Sequence, residues 1–422
     1  MSPHKSGHTS GHKSGHNDGM AAPKDRDEAV SEMEPMRISE AAPSRSSLND
    51  RALELVAAST RLDQSLPTEV AGALAALVRS MNCYYSNLIE GHNTHPVDIE
   101  RALLADYSTE PRKRDLQLEA CSHIAVQSWI DDGGLAGRAA TADGVREIHR
   151  RFCAELPESL LWSETPDSGK KTRVKPGRWR ESDVKVGRHV AVSPGAIERF
   201  MARFETVYAR LGKSESILAV AAAHHRLLWI HPFADGNGRV ARLMSYAMLQ
   251  DAITTTGIWS IARGLAHHEQ AYKDHLEYCD RPRRGDLDGR GALSEAALVA
   301  FTAFFLDTCL DQVNFMSRLI RPDLLAGRVI SWATNEAKAD RLPSRSEWVL
   351  DKLLARGTLD RGEVAGLLGV SERTSRRVTS ALLDLKVVVS DSPRSPLRLG
   401  FPATVAHHWL PGLFPEAPID ER

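Results

Sequence analysis

Twelve residues, His231-Pro-Phe-Ala-Asp-Gly-Asn-Gly-Arg-Val-Ala-Arg242, gather the groups that transfer from a nucleoside triphosphate requires. Such chemistry needs an anion-binding backbone, cations for phosphate charge, a metal ligand and a proton acceptor. Gly236, Asn237 and Gly238 can present backbone N–H groups at close range, because glycine has no Cβ to block a phosphate. Arg239 and Arg242 lie three residues apart, so one helix face can carry both. Asp235 suits Mg²⁺, which prefers oxygen ligands and takes few carboxylates. His231 has an ordinary pKa suited to general-base work near neutrality. Phe233 is expected to anchor the loop in the core.

These groups act together only if rigid elements hold them. Ile217, Val220, Ala221, His224 and Leu228 form a helical stripe that runs into His231, and 239–251 continues as a helix beyond the glycines. The second helix would point its N-terminus, with its favourable dipole, at the phosphates. Further helices are expected from Leu53, Leu55, Val56 and Leu62; from Ala73, Leu74, Leu77, Val78 and Met81; at 143–154; and at 295–319, with Leu298, Phe301, Phe305 and Leu306 inward. Val184, Val186, Val190 and Val192 alternate around Gly187-Arg188, the signal of a short hairpin on a helical background. His149, His224 and His225 show no metal-ligand spacing and read as core or loop histidines. His267, His268 and Tyr272 follow the second helix and stand where they would border a nucleoside pocket.

The chain of 422 residues is 42% hydrophobic and 26% charged, enough apolar material for a sizeable core in two or three domains. Its net charge of −1 does not suit a general polyanion binder, although a local basic patch is allowed. Five scattered cysteines without a CxxC pair argue against a disulfide framework and a cysteine zinc site, and fit reduced thiols in a cytoplasm. No signal peptide or uninterrupted apolar span is read, so the expectation is a cytoplasmic protein with no membrane partner. Residues 1–46 are expected to be a disordered tail. Its His4, His8, His12 and His16 repeat reads as low complexity rather than as a metal site.

The 231–242 segment resembles the signature of the Fic family, His-x-Phe-x-Asp/Glu-Gly-Asn-Gly-Arg-x-x-Arg, at all eight constrained positions. The resemblance implies a mainly α fold, a helical bundle with a short β-hairpin flap. It implies that His231 deprotonates a Ser, Thr or Tyr hydroxyl on a target protein. Asp235 would bind Mg²⁺ bridging the α- and β-phosphates of ATP. Gly236, Asn237 and Gly238 would form the anion hole, with Arg239 and Arg242 on the triphosphate and Arg242 toward its γ end. AMP would pass to the protein and pyrophosphate would leave. The intact Gly-Asn-Gly-Arg core favours this over the phosphorylation done by Doc-type relatives. The hairpin is similar to the family's target-docking flap, assigned here to Val184, Lys185, Val186 and Gly187, with Gly177-Arg-Trp-Arg180 resembling the Gly-x-x-Arg upstream of it.

Ser86-Asn-Leu-Ile-Glu90-Gly91 resembles the family's inhibitory helix, Ser/Thr-x-x-x-Glu-Gly/Asn, placed before the catalytic loop as in its second regulatory class. Glu90 would neutralise Arg242 and repel the γ-phosphate. In some relatives this glutamate is implicated in removing AMP, so the reverse reaction stays open. The loop reads phosphates and does not distinguish ATP from another nucleotide.

Residues 343–410 change character. A helix, a helix-turn-helix around Gly369 with Ser371 as N-cap, and two strands describe a winged helix. Residues 341–410 hold 11 Lys/Arg and 7 Asp/Glu, a balance of 11 − 7 = +4. Arg373, Arg376 and Arg377 on the second helix are candidates for DNA contact, with Arg394 and Arg398 on the wing. Protein interaction or homodimer formation is the competing use of such a module. The expected divisions are a tail (1–46), an N-terminal helical region with the inhibitory helix (47–135), a catalytic core (136–320), a linker helix (321–342), the winged helix (343–410) and a second tail (411–422). The leading expectation is an autoinhibited AMP transferase; the rival is a DNA-binding regulator with a regulatory Fic domain.

Overall fold

The computed structural model describes residues 24–164, 169, 171–253 and 255–415. The histidine repeat at 4–16 lies outside the described residues.

The apolar spacing builds a helical bundle. Helix α1 (Arg45–Asp63) buries Leu48, Leu55 and Leu62, while Leu53 faces solvent. Helix α2 (Thr68–Ile89) starts after Pro67 and ends at Glu90, where Gly91 takes the left-handed backbone (φ +81°) common just past a helix. Helices α3 (Pro96–Leu103) and α4 (Pro111–Asp131) both open on proline, whose missing N–H has no helical partner in the first turn. Helix α5 (Ala142–Ala154) is capped by the Thr141 hydroxyl, which accepts the Gly144 N–H. Two antiparallel pairs follow, β1 (Trp162–Glu164) with β2 (Lys171–Arg173), and β3 (Lys185–Val186) with β4 (His189–Val190). Helices α6 (Ile197–Tyr208), α7 (Lys213–Ile230), α8 (Asn237–Ala252), α9 (Ala262–His267), α10 (Glu269–Cys279) and α11 (Glu295–Leu319) complete the bundle.

Helix α7 is its axis. It is buried almost all round, with α1, α6, α8 and α11 packed against it. Ala219, Ala221, Ala222 and Ala223 leave room for this close packing. Helix α8 is similarly enclosed, between α7 and α2, α4 and α5. The 231–236 loop therefore joins the two most enclosed helices. Helix α11 is long and apolar enough to cross a membrane, but it is mostly buried against α1, α7, α9 and α10. Its hydrophobicity serves this core.

Residues 24–46 depart from the expected disorder. Met33, Met36 and Ile38 are buried, and Arg226 donates to the Pro35 carbonyl at 2.8 Å. Glu28 accepts from the Ser193 backbone at 2.7 Å, and Glu34 pairs with Arg203. Few large apolar residues suffice here because ionic and backbone bonds supply the rest.

Beyond α11, helix α12 (Pro322–Lys338) leads into a C-terminal module of α13 (Ser346–Arg356), β5 (Thr358–Leu359), α14 (Val364–Leu368), α15 (Glu372–Asp384), β6 (Val388–Val389), β7 (Leu397–Leu399) and α16 (Ala403–Trp409). The sheet order is β5-β7-β6, all antiparallel. Gly369 turns the chain between α14 and α15 with φ +61°, and Ser371 caps α15. Trp409 is fully buried against Trp332 and Phe401.

Candidate active site

His231 ends α7 in the left-handed region (φ 50°, ψ 61°), a conformation that a non-glycine residue holds only when its surroundings impose it. Arg180 imposes it. Its backbone N–H donates to the Pro232 carbonyl at 2.9 Å, and its guanidinium donates to the His231 carbonyl at 2.7 Å. The same guanidinium donates to the carbonyls of Ser182 and Val192, on either side of the β3–β4 hairpin. One buried arginine thus ties the loop to the flap.

Phe233 is fully buried and stacks on the His149 ring at 3.8 Å. His149 Nδ1 accepts the Gly177 N–H at 2.9 Å, while its Nε2 faces the Asp235 carbonyl at 3.2 Å. Burial pushes its pKa down to about 4, so it is neutral at pH 7 and can accept at one nitrogen and donate at the other. The sequence reading of His149 as a core histidine therefore omits its role as a brace. Asn237 also has a different position from the one expected. Its side chain accepts the Phe233 N–H at 3.0 Å and donates to the Phe233 carbonyl at 2.9 Å. It closes the loop on itself, leaving the backbone to meet an anion. Gly236 precedes α8 with φ +81°, which frees the first turn of α8 to point into the site.

The two arginines of the signature part company. Arg242 Nε donates to Ser86 Oγ at 2.9 Å, and its Nη2 donates to the Ser86 carbonyl at 3.0 Å and to Glu90 Oε1 at 2.5 Å. A Cβ at Gly238 would collide with that carboxylate. Glu90 therefore lies against the N-terminal turn of α8, where an anion is favoured. Burial opposes its charge, but Arg242 and then Arg239 outweigh burial and hold it below the ordinary glutamate range. Ser86, Glu90 and Gly91, singled out in the sequence, all fall at this junction.

Arg239 turns the other way. It pairs with Glu119 on α4, a carboxylate that is 1% exposed, and contacts Asp235 Oδ2 only at 3.4 Å. Its guanidinium covers the Phe152 ring at 4.9 Å, and the residue does not line the cavity. The three-residue spacing places Arg239 and Arg242 on neighbouring turns, but each side chain follows its own buried acid. Glu119 also meets His92 Nδ1 at 2.7 Å. Its only sequence signal is a carboxylate within the otherwise buried stripe of α4.

The cavity, of about 420 Å³, lies between α2, the flap, α7 and α10. Ile89, Leu228, Trp229 and Leu276 supply apolar lining, alongside His231 and Arg242. Tyr272 lines it as expected and hydrogen-bonds His224 at 2.7 Å; His267 instead packs on Tyr85, and neither His267 nor His268 lines the cavity. Burial, with Arg180 and His189 nearby, lowers the His231 pKa to about 4, so its imidazole is neutral and able to accept a proton. His231 lines the cavity together with Gly238 and Arg242. Burial raises the Asp235 pKa, and the Gly236 N–H on Oδ1 at 2.6 Å opposes that shift. The Asp235 side chain is 47% exposed, so its carboxylate is accessible to an oxygen-seeking cation.

In the flap, Gly187 turns with φ +57° and β3 pairs with β4 alone among the described residues. Val184 is half-buried, Lys185 and Val190 are exposed, and Val186 is exposed at the cavity mouth. His189 donates to the Trp229 carbonyl at 2.7 Å and fixes the hairpin over α7. In the C-terminal module, Arg373, Arg376 and Arg377 are exposed on α15 and have no ion-pair partner among the described residues.

Residues 139–249 match the Fic/DOC family. The chain is 30% identical over 210 residues to a protein adenylyltransferase Fic of Nematostella vectensis, covering 48% of this chain and 43% of the relative. It is 39% identical over 211 residues to one of Culex quinquefasciatus, covering 48% and 37%. The chain thus spans less than half the length of these curated relatives. Among solved structures, a Fic family protein of Desulfovibrio desulfuricans G20 has the same fold, with a TM-score of 0.51 and 16% identity over 86% of this chain and 98% of that one.

Proposed function

We propose that this chain, which carries a Fic/DOC-family domain, is a protein adenylyltransferase that Glu90 holds inactive. The observation that carries the reading is the Glu90 carboxylate on Arg242, against the N-terminal turn of α8 and beside His231 in one cavity. The names of the relatives supply the reaction class.

In the proposed reaction a Ser, Thr or Tyr hydroxyl of a target protein attacks the α-phosphorus of ATP. His231 takes the hydroxyl proton on its neutral imidazole. The new O–P bond forms as the bond to pyrophosphate breaks, leaving AMP on the protein. The first-turn N–H groups of α8 and the helix dipole steady the phosphate charge. Asp235 would hold Mg²⁺ with the phosphates, and the metal would neutralise part of their charge. The open edge of β3 would seat an extended target segment by main-chain pairing, with Val186 and Val190 meeting its side chains.

Glu90 blocks this by charge and by place. It occupies the anion position and takes the Arg242 donors that a γ-phosphate needs. ATP can then enter only with its phosphates displaced. The test is labelling with ATP carrying ³²P at the α-phosphate. Glu90→Gly should label itself or a target strongly, and Glu90→Gly/His231→Ala should not. Equal labelling of wild type and Glu90→Gly would remove the inhibitory reading; labelling that survives His231→Ala would remove the base.

A second use of the chain has its own observation. Arg373, Arg376 and Arg377 are exposed together on α15, and a winged-helix reading of the module assigns them to DNA.

A further inference from the structure

Helix α2 carries Ser86 at its end and leads into Glu90, and two different surfaces grip it. Toward the catalytic core α2 buries Val78, Met81 and Cys83, and its last turns add polar contacts. Asn82 Nδ2 donates to Gln127 at 2.5 Å, the Ser260 hydroxyl donates to Asn82 at 2.5 Å, and the Ser86 contacts reach Arg242. The apolar packing holds the body of α2, while Glu90 lies past its last helical residue, Ile89.

The opposite grip comes from the C-terminal module. Leu413 is fully buried, and its carbonyl accepts the Tyr85 hydroxyl at 3.2 Å. Phe414 meets the Tyr84 ring edge-on at 6.2 Å. Gly412 turns the segment with φ +78°, and its carbonyl accepts from the Arg263 guanidinium at 3.0 Å. That guanidinium also lies 3.7 Å from the Phe315 ring centre on α11. Tyr84 and Tyr85 directly precede Ser86, so both grips act on the same turn of α2. At its other end, α2 sets Glu69 against Gly357 of the module, and β7 packs along the helix. The Ala403 N–H donates to Glu100 on α3 at 2.8 Å.

We propose that residues 410–414 are a clasp that holds the last turn of α2 on the catalytic loop, so that release of this segment frees Arg242 from Glu90. The inference rests on the inhibitory reading of Glu90. Its physical basis is that Glu90 caps the C-terminal end of α2, so a shift or fraying of that end carries its carboxylate away from Arg242, and Tyr84 and Tyr85 are held in that turn by the segment. The clasp belongs to the C-terminal module, which gives anything that displaces this segment a route to the active site.

The test uses full-length Tyr85→Phe, which removes one hydrogen bond, and Leu413→Asp, which puts a charge into the buried seat. Amide hydrogen exchange of residues 82–90 reads the clasp directly, and AMP labelling reads its consequence. Tyr85→Phe should speed exchange there by about fivefold, the weight of one net hydrogen bond. Leu413→Asp should speed it further and raise labelling, while exchange in α7 and α8 stays unchanged. In a Glu90→Gly background, Leu413→Asp should add nothing to labelling. Unchanged exchange at 82–90 in Leu413→Asp, or an equal labelling gain with and without Glu90, would overturn the clasp. Faster exchange with no labelling even in Glu90→Gly would leave the clasp standing and remove the reading of the site.

Discussion

Two groups of arginines in this molecule face opposite conditions. Arg239 and Arg242 are buried beside the 231–236 loop, and each is committed to a carboxylate from another helix. Arg373, Arg376 and Arg377 stand in solvent on α15 without ion-pair partners among the described residues. A buried charge loses its hydration and depends on its partner, so removing the partner changes the state of the site. An exposed charge keeps its water and is screened by salt, so it serves encounter with an external polyanion. On the proposed function, the difference would separate residues that set a switch from residues that meet an external ligand. Within the first group the partners also differ. Glu119 is 1% exposed, whereas the Glu90 side chain retains 30% of its exposure at the end of α2. The first pair is structural support, and the second has a way out.

The strongest break in this comparison is Glu119→Ala. It leaves Arg239 buried without its main partner, and unfolding free energy measured with urea should fall by about 3–5 kcal/mol. A loss below about 1 kcal/mol would put Arg239 in the exposed class. Next comes Glu90→Gly, with AMP labelling up by about 5- to 150-fold, as expected for relief of a 1–3 kcal/mol coupling. Its unfolding midpoint should move far less than that of Glu119→Ala; the reverse order would invert the roles of the two acids. For the exposed group, Arg376→Ala/Arg377→Ala should lower the salt slope of duplex DNA binding by about 2, one unit per phosphate contact, with no change in melting. A mobility shift insensitive to salt would point α15 to a protein partner.

The smallest effect is expected from pH. Burial places the His231 pKa near 4, so the base stays neutral through the usual imidazole range. In Glu90→Gly the rate should show no acid limb near 6.5 and should fall only as pH drops toward 4. Glu90 itself pushes the His231 pKa upward, so its removal deepens the shift. A limb at 6.5 in the pH–rate profile would mean that substrate entry rehydrates the imidazole.

Much of the site is legible in the chain because its parts are local. The loop needs glycine where the backbone is left-handed, at Gly236, and where a carboxylate lies on the backbone, at Gly238. Helix periodicity places α7 and α8 around that loop, and Ser86 and Glu90, four apart, share a helix face. The hairpin alternation at 184–192 marks the flap, although regular pairing is confined to two residues per strand.

What the tertiary structure decided is which buried groups meet. Nothing local assigns Arg239 to Glu119, because that pair joins residues 120 positions apart through the packing of α4 on α8. The brace at His149 and the Arg180 tie between loop and flap are similar: each residue is unremarkable until burial removes its water and leaves one set of partners. Residues 24–46 looked too polar to fold, yet Met33 and Met36 find a seat that other helices had formed. The reading that Glu90 opposes Arg242 came from a resemblance between short motifs. Its physical form, a carboxylate on Gly238 held there by α2, depends on where the core and the C-terminal module place that helix. Sequence specifies groups and local backbone; desolvation and partner choice arise only when distant elements close around them.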